Sequence, residues 1–292
     1  MYPQSTWHKS AKTKTVNKHN LVWCKNYIMW GGWTLVVQSI DGINYELQQP
    51  FNMNFVSKYG RVFKVFDKQD SGCICFGVQT KDERLFVKFA GARPVRYKGT
   101  QENAILGLRA ASKLIRIWKI AIFQWTDAEC MGKQYDSRFK FFELSIGDRI
   151  HILEDILAFH KFVSEQGYVA IDFYDGSIMF DFSNKRMIIC DIDYYTKMPY
   201  INSVGRMPGS SRFMSPEEFE KGSVIDEVTN VFLMGATAFV LLGDASDKTL
   251  QKWNADKALF AIAEKAITKD RTNRYQSIDE FTVAWICAKN AK

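Results

Sequence analysis

The spacing of apolar and polar residues changes character once along this chain. From about residue 45 to 125 the dominant period is two. Residues 61–66 (RVFKVF) alternate, while 73–79 (CICFGVQ) and 84–90 (RLFVKFA) are short apolar runs bounded by Gly-, Asp- or Ser-containing turns. These read as strands, and the turn over 80–83 is short enough to make the last two a hairpin. An amphipathic helix is predicted over 100–117 and one more strand over 121–125 (AIFQW). After Asp127 the period becomes helical. Ile150, Leu153, Ile156, Leu157 and Phe159 predict a helix over 147–166. Strands are predicted over 177–182 and 187–190, split by a turn at Ser183-Asn184. Further helices are predicted over 215–220, 226–242, 250–267 and 277–288. A small strand-rich unit with one helix thus precedes a larger, mainly helical one, an α+β class.

The N-terminal stretch fits neither pattern. Residues 1–20 read as an unstructured arm, and residues 21–44 carry Trp23, Trp30 and Trp33 with turn signals at Gly31-Gly32 and Asp41-Gly42. The latter are expected to pad the back of the first domain. The domain reading is therefore a basic, Trp-rich extension over 1–44, a first lobe over 45–126 and a second over 127–292.

Composition narrows the class. With 47% hydrophobic, 14% aromatic and 24% charged residues in 292, the chain can build ordinary globular cores and does not resemble a disordered or disulfide-framework protein. Its richest apolar run, 231–242, is interrupted by Gly235 and Thr237 and falls short of the roughly 20 residues a membrane-spanning helix needs. The N-terminus is polar and basic where an export leader would be apolar, so a cytoplasmic location is expected.

The net charge of +7 is concentrated in Lys9, Lys12, Lys14, Lys18 and Lys25, with no acid before Asp41. Such an arm can attract nucleic acid or anionic lipid. No Arg-rich or Lys/aromatic groove follows it, so a solvated tail is the preferred reading and a nucleic-acid partner is not expected. The 6 cysteines form no CxxC pair, and reduced thiols are expected.

Four short pieces carry candidate chemistry. Lys88 ends the run Leu85-Phe86-Val87-Lys88, where a strand lysine can hold phosphate oxygens as a compact cation. Asp172 opens a loop, Asp172-Phe173-Tyr174-Asp175-Gly176-Ser177, where a carboxylate can accept or orient a hydroxyl proton and a polar residue five positions on can share a metal ion. Asp191 follows the apolar strand Ile188-Ile189-Cys190 and precedes Asp193, a place where Mg²⁺ bridging phosphates could be held. The hairpin between them returns Asp191 to Asp172. The fourth piece is residues 209–217 (GSSRFMSPE), followed by a helix.

In this order the pieces resemble the protein-kinase fold, specifically bacterial Ser/Thr-kinase-like proteins, from about Tyr59 to Phe281. The resemblance implies a two-lobed protein-kinase-like fold. It implies that Lys88 holds the α- and β-phosphates of ATP and pairs with a helix glutamate, for which Glu102 is the available acid. It implies that Asp172 is catalytic, accepting or orienting the substrate hydroxyl proton, and that Asp191, with Asp193 and Ser177, holds Mg²⁺ (or Mn²⁺). The turn around Ser71 and Gly72 corresponds to the nucleotide-covering loop. Phe86 lies at the adenine site, and residues 125–129, with Trp125 and Asp127, form the segment that meets adenine. Ser215-Pro216-Glu217 closes the activation segment, and Arg274 pairs with Glu217 as a stabilising ion pair. The partners implied are ATP and a protein substrate or the chain itself.

The chain also departs from the family. The covering loop over 67–72 (DKQDSG) has one glycine and two acids. Phe86 replaces a small residue, where it either narrows the pocket or stacks on the base. Ala170-Ile171 stand where the family has His-Arg, which removes the usual partner of a phosphorylated activation loop. Ser177 replaces an asparagine, and Asn230 an aspartate. The chain after Glu102 is too short for two full strands, so one sheet strand is expected to be missing or reduced. A Ser/Thr phosphotransferase is the first reading. A pseudokinase acting as a nucleotide-binding or interaction module is the second, and an aminoglycoside-type phosphotransferase is the third. His160 is expected to be a packing or solvated residue rather than a base.

Overall fold

The computed structural model describes residues 29–30, 33–69, 71–95, 120–192, 194–244 and 246–291. It is α+β, with small antiparallel sheets before and among the helices. The predicted helix over 100–117 and the arm over 1–20 lie outside these residues.

The first part begins with a short pair, β1 (Met29–Trp30) and β2 (Trp33–Thr34), and a hairpin, β3 (Val36–Ile40) and β4 (Ile43–Leu47). The hairpin turn is Asp41-Gly42, with φ of 49° and 84°, values that Asp and Gly tolerate best. Then come β5 (Arg61–Phe66), β6 (Ile74–Gln79), β7 (Arg84–Phe89) and β8 (Ile120–Gln124), one antiparallel sheet in sequence order. Among the described residues this sheet has four strands.

The period-two pattern sorts side chains onto two faces. On one face Val62, Ile74, Phe76, Val78, Val87, Phe89 and Ile120 are buried against Ile40, Tyr45 and Leu47 of the hairpin and Met53 and Val56 of the following turn. Each fully buried aliphatic or aromatic side chain contributes roughly 1.5–3 kcal/mol, which explains why the hairpin stays on the sheet. Asp41 adds a polar anchor, since its Oδ2 accepts from the Val62 amide at 2.6 Å. The boundary drawn after residue 44 therefore falls inside β4, whose Tyr45 and Leu47 belong to the same core as Ile40 of β3.

The opposite face carries Phe66, Cys75, Phe86 and Lys88, with Ala90 and Ala121. It is this face that meets the rest of the chain.

The second part contains β9 (Glu129–Cys130), α1 (Ser137–Phe142), α2 (Ile146–Glu165), β10 (Tyr168–Val169), β11 (Ile178–Asp181), β12 (Arg186–Ile189), β13 (Thr196–Lys197), β14 (Tyr200–Ile201), β15 (Val224–Ile225), α3 (Glu227–Leu242), α4 (Lys257–Ala266) and α5 (Ile278–Asn290). Helix α2 starts at Ser145, whose Oγ accepts from the Asp148 amide at 3.0 Å, and it buries Ile152, Leu153, Ile156, Leu157 and Val163. Helix α3 is mostly apolar and is buried on every side from Thr229 onward, and α2, α4 and α5 pack around it. Phe239, Phe281 and Trp285 fill the core between them.

Two predicted helices differ. The stretch 250–267 is not one helix. A 3-10 turn, Leu250–Lys252, is followed by extended residues, and α4 starts only after Asp256, whose carboxylate accepts from the Ala258 amide at 2.8 Å. The N-cap preference of Asp outweighs the apolar period there. The stretch 215–220 is a single 3-10 turn, Pro216–Phe219. Among the described residues no helix is long and apolar enough to cross a membrane.

Candidate functional site

Register on the sheet sets the site. Lys88 on β7 lies between Cys75 on β6 and Ala121 on β8, and these small neighbours leave room for a long side chain. Its side chain is 13% exposed, and its Nζ stands 3.9 Å from Asp191 Oδ1. Asp191 follows β12, which runs antiparallel to β11. The Cys190 amide donates to the Ser177 carbonyl at 2.9 Å, so the hairpin delivers Asp191 to the end of the 172–177 loop. The hairpin's own turn is held by Asp181, whose carboxylate accepts from the amides of Ser183 and Asn184 at 3.0 Å each.

Asp172 and Asp191 both have left-handed backbones, with φ of 62° and 57°. Aspartate is one of the few residues that enters this region at modest cost, and such conformations cluster where a chain must aim a functional group. Asp191 is 48% exposed. A half-exposed ion pair contributes little to stability, so Lys88–Asp191 is a weak reason for the parts to dock.

Ser177 is fully buried. Its Oγ accepts from the Tyr174 amide at 3.4 Å and lies 3.5 Å from the Asp172 carbonyl, both long contacts that leave its oxygen weakly committed. Asp191 and Ser177 are hard oxygen donors, which suits Mg²⁺ held by one or two protein oxygens plus phosphates rather than a thiophilic ion. Among the described residues no three His, Cys, Asp or Glu side chains gather as a metal cage. Asp193 and Glu102 lie outside the described residues.

The sheet face has a second, different row. Phe86 lies between Gly77 and Phe123. Its ring is 5.9 Å from Phe66, 6.4 Å from Phe123 and 6.3 Å from Trp125. A Cβ at Gly77 would come within 2.7 Å of both the Phe63 and Trp125 rings, so the glycine lets these rings lie close to the strand. One end of the face is thus floored by aromatic rings, while the Lys88 end is lined by small side chains.

Asp127, at the aromatic end, has an exposed carboxylate that accepts two hydrogen bonds from Arg84 and one from Trp125 Nε1. The hydrogen bond from Arg84 is the first cause that holds it below the usual carboxylate range. In the turn between β5 and β6, Asp67 accepts from the Glu46 amide at 2.7 Å, which commits this acid to the β4 side; Ser71 is exposed and Gly72 is buried with φ of 75°.

Two buried clusters frame the loop. Arg274 donates to both Glu217 oxygens at 2.7 and 3.1 Å. Burial is the largest single influence and raises the Glu217 carboxyl, but the hydrogen bond and charge of Arg274, a backbone hydrogen bond and the Thr229 hydroxyl together hold it below its usual value. Asp175, read in the sequence only as part of a turn, is buried and accepts from Arg138 on α1 and Arg212 of the 209–217 segment. Each partner is 37 residues away, one on either side, so no local pattern could have announced them.

His160 is enclosed. Its Nδ1 donates to the Ile156 carbonyl at 2.8 Å, which assigns the proton to that nitrogen and leaves Nε2 to accept from the Tyr195 hydroxyl at 2.8 Å. Burial lowers its pKa to about 4.

No protein-family model matches this chain, and no curated protein matches it in sequence. The geometry is therefore the guide to function. It brings Lys88, Asp191 and the Asp172–Ser177 loop together and sets Phe86 and Trp125 at the aromatic end of the same sheet face.

Proposed function

We propose that the chain is a two-lobed, protein-kinase-like phosphotransferase that moves the γ-phosphate of ATP to a Ser or Thr hydroxyl on a protein or on itself. The observation that supports this reading is the approach of Lys88 Nζ to Asp191 Oδ1 at 3.9 Å, beside the loop that opens with Asp172. In this reading Lys88 neutralises phosphate oxygens, and Asp172 accepts or orients the proton of the attacking hydroxyl. Asp191 and Ser177, with Asp193, would hold Mg²⁺ (or Mn²⁺), which when bound supplies positive charge against the phosphates. Phe86 and Trp125 offer ring faces to the base. Such chemistry is mainly positioning and charge neutralisation, which the surviving cation and acids can supply.

The test is transfer of label from γ-labelled ATP by wild type, Asp172→Asn and Asp191→Asn. Each substitution is expected to lower the rate by about a hundredfold or more. Equal signal from all three proteins overturns the reading.

A second reading, a nucleotide-binding or interaction module without turnover, is favoured by the aromatic floor around Phe86 and by a covering turn whose one glycine is Gly72. Melting with ATP, with and without Mg²⁺, read beside label transfer, separates the two. A rise with transfer supports the transferase, a rise without transfer favours a nucleotide-binding module, and no rise at millimolar ATP favours an interaction module.

A further inference from the structure

Asp175 lies between Asp172 and Ser177 and is 1% exposed, yet its carboxylate serves neither neighbour. Oδ2 accepts from Arg138 Nη1 at 2.7 Å and from Arg212 Nη1 at 2.9 Å, and Oδ1 accepts from Arg212 Nη2 at 2.8 Å. Arg212 thus makes a two-pronged pair, the strongest geometry available between these groups. It belongs to the segment that leads into Ser215-Pro216-Glu217.

That segment also passes close to the loop at Gly209. Gly209 has φ of 135°, and a Cβ built on it would lie 3.7 Å from the Asp172 Cα. The segment is fixed from behind as well, since Phe213 and Met214 are buried and Lys248 Nζ donates to the Arg212 carbonyl at 3.2 Å. Residues 209–214 therefore form one wall beside Asp172, and the Arg212–Asp175 pair joins wall to loop.

We infer that the Arg212–Asp175 pair is an internal clamp that holds residues 209–214 against Asp172, so that the site is assembled without an added phosphate. This rests on the phosphotransferase reading of the same site. Asp175 and Arg212 are positioning residues. The charge of the buried carboxylate is already compensated by two guanidinium groups, and the segment carries its own cation where a phosphorylation switch would need a new anion. Removing Arg212 unties the wall but leaves Asp175 paired with Arg138, so the fold survives. Removing the Asp175 charge leaves two partly exposed guanidinium groups facing each other with no anion between them.

The experiment compares full-length wild type, Arg212→Gln, Arg212→Lys and Asp175→Asn by hydrogen exchange over residues 205–216 and by phosphoryl transfer at varied ATP. Wild type is also assayed after phosphatase treatment. Arg212→Gln is expected to raise exchange in this segment by about tenfold. It is also expected to lower kcat by about a hundredfold with the KM for ATP unchanged, because loop geometry rather than nucleotide binding is lost. Arg212→Lys should keep part of both properties, and phosphatase-treated wild type should keep its rate. Unchanged exchange in Arg212→Gln, or loss of activity on phosphatase treatment, overturns the clamp. If wild type transfers no phosphate while Arg212→Gln still loosens the segment, the transferase reading fails and the clamp stands. Should Asp175→Asn not fold, the two Arg212 variants carry the test.

Discussion

Arg274 grips Glu217 with both terminal nitrogens, at 2.7 and 3.1 Å, inside a core where the arginine side chain is fully enclosed. Arg274 Nε and Nη2 also donate to the carbonyls of Thr268 and Lys269, and Thr229 Oγ1 donates to Glu217 Oε1. The pair therefore ties the turn at Pro216–Phe219 to the start of α3 and to the connection between α4 and α5.

Breaking one side of that pair leaves the other charge buried. Arg274→Met is expected to destabilise the protein by about 3–5 kcal/mol in urea unfolding. The double variant Arg274→Met/Glu217→Gln should lose clearly less than the sum of the two single changes. Additive losses would show that the two side chains act independently.

Glu218 supplies a pH dependence at neutral pH. Burial pushes its carboxyl up to about 7, against the opposing hydrogen bonds from Ser215. Both bonds fall on Oε2, at 2.7 Å from the Ser215 amide and 3.0 Å from its hydroxyl, so a proton on the other oxygen leaves them intact. The folded pKa lies above the ordinary 4.5. The contribution of Glu218 is therefore fully present below that value and is lost as pH rises through about 7. Stability should fall between pH 5 and 8, by on the order of 1–3 kcal/mol from this group. Glu218→Gln should flatten the profile over that range, and an unchanged slope would remove Glu218 as its source.

His160 acts in the opposite sense. Its folded pKa of about 4 lies below the ordinary 6.5, so its contribution is whole above 6.5 and is lost as pH falls through about 4. His160→Gln, which keeps a donor and an acceptor, is expected to shift the midpoint of acid unfolding to lower pH. Circular dichroism across an acid titration measures it.

Phe86 decides how the aromatic end is used. If its ring is a stacking face, Phe86→Ala should weaken ATP binding in calorimetry, with roughly 1–3 kcal/mol lost for one base stacked on one ring. Tighter binding by Phe86→Ala would mean the rings plug the space, and would favour the interaction-module reading.

The sequence was legible where one element controls its own fate. The 3.6-residue period marked α2 almost to its ends, and the apolar run after Asp226 marked α3 as a buried helix. Alternation and turn residues located β5, β6 and β7 within a residue or so. The spacing of Asp172 and Asp191 also suggested that a hairpin returns one acid to the other, while Lys88 joined them only through the resemblance. Legibility ended where a local choice depended on a distant partner. The apolar period could not show that Asp256 would cap α4 and split the stretch from 250 to 267.

What the chain determines by itself is therefore periodic and local: which residues form strands or helices, which faces are apolar, and which acids end on turns. Only the tertiary structure decided that Gly77 would make room for the Phe63 and Trp125 rings, and that Lys88 would fall between Cys75 and Ala121. It also decided that Asp175, an unremarkable turn residue in the sequence, would be enclosed by Arg138 and Arg212. The reason is physical. Burial, register and charge pairing depend on what packs across from a residue, and that neighbour is chosen by the folding of the whole chain.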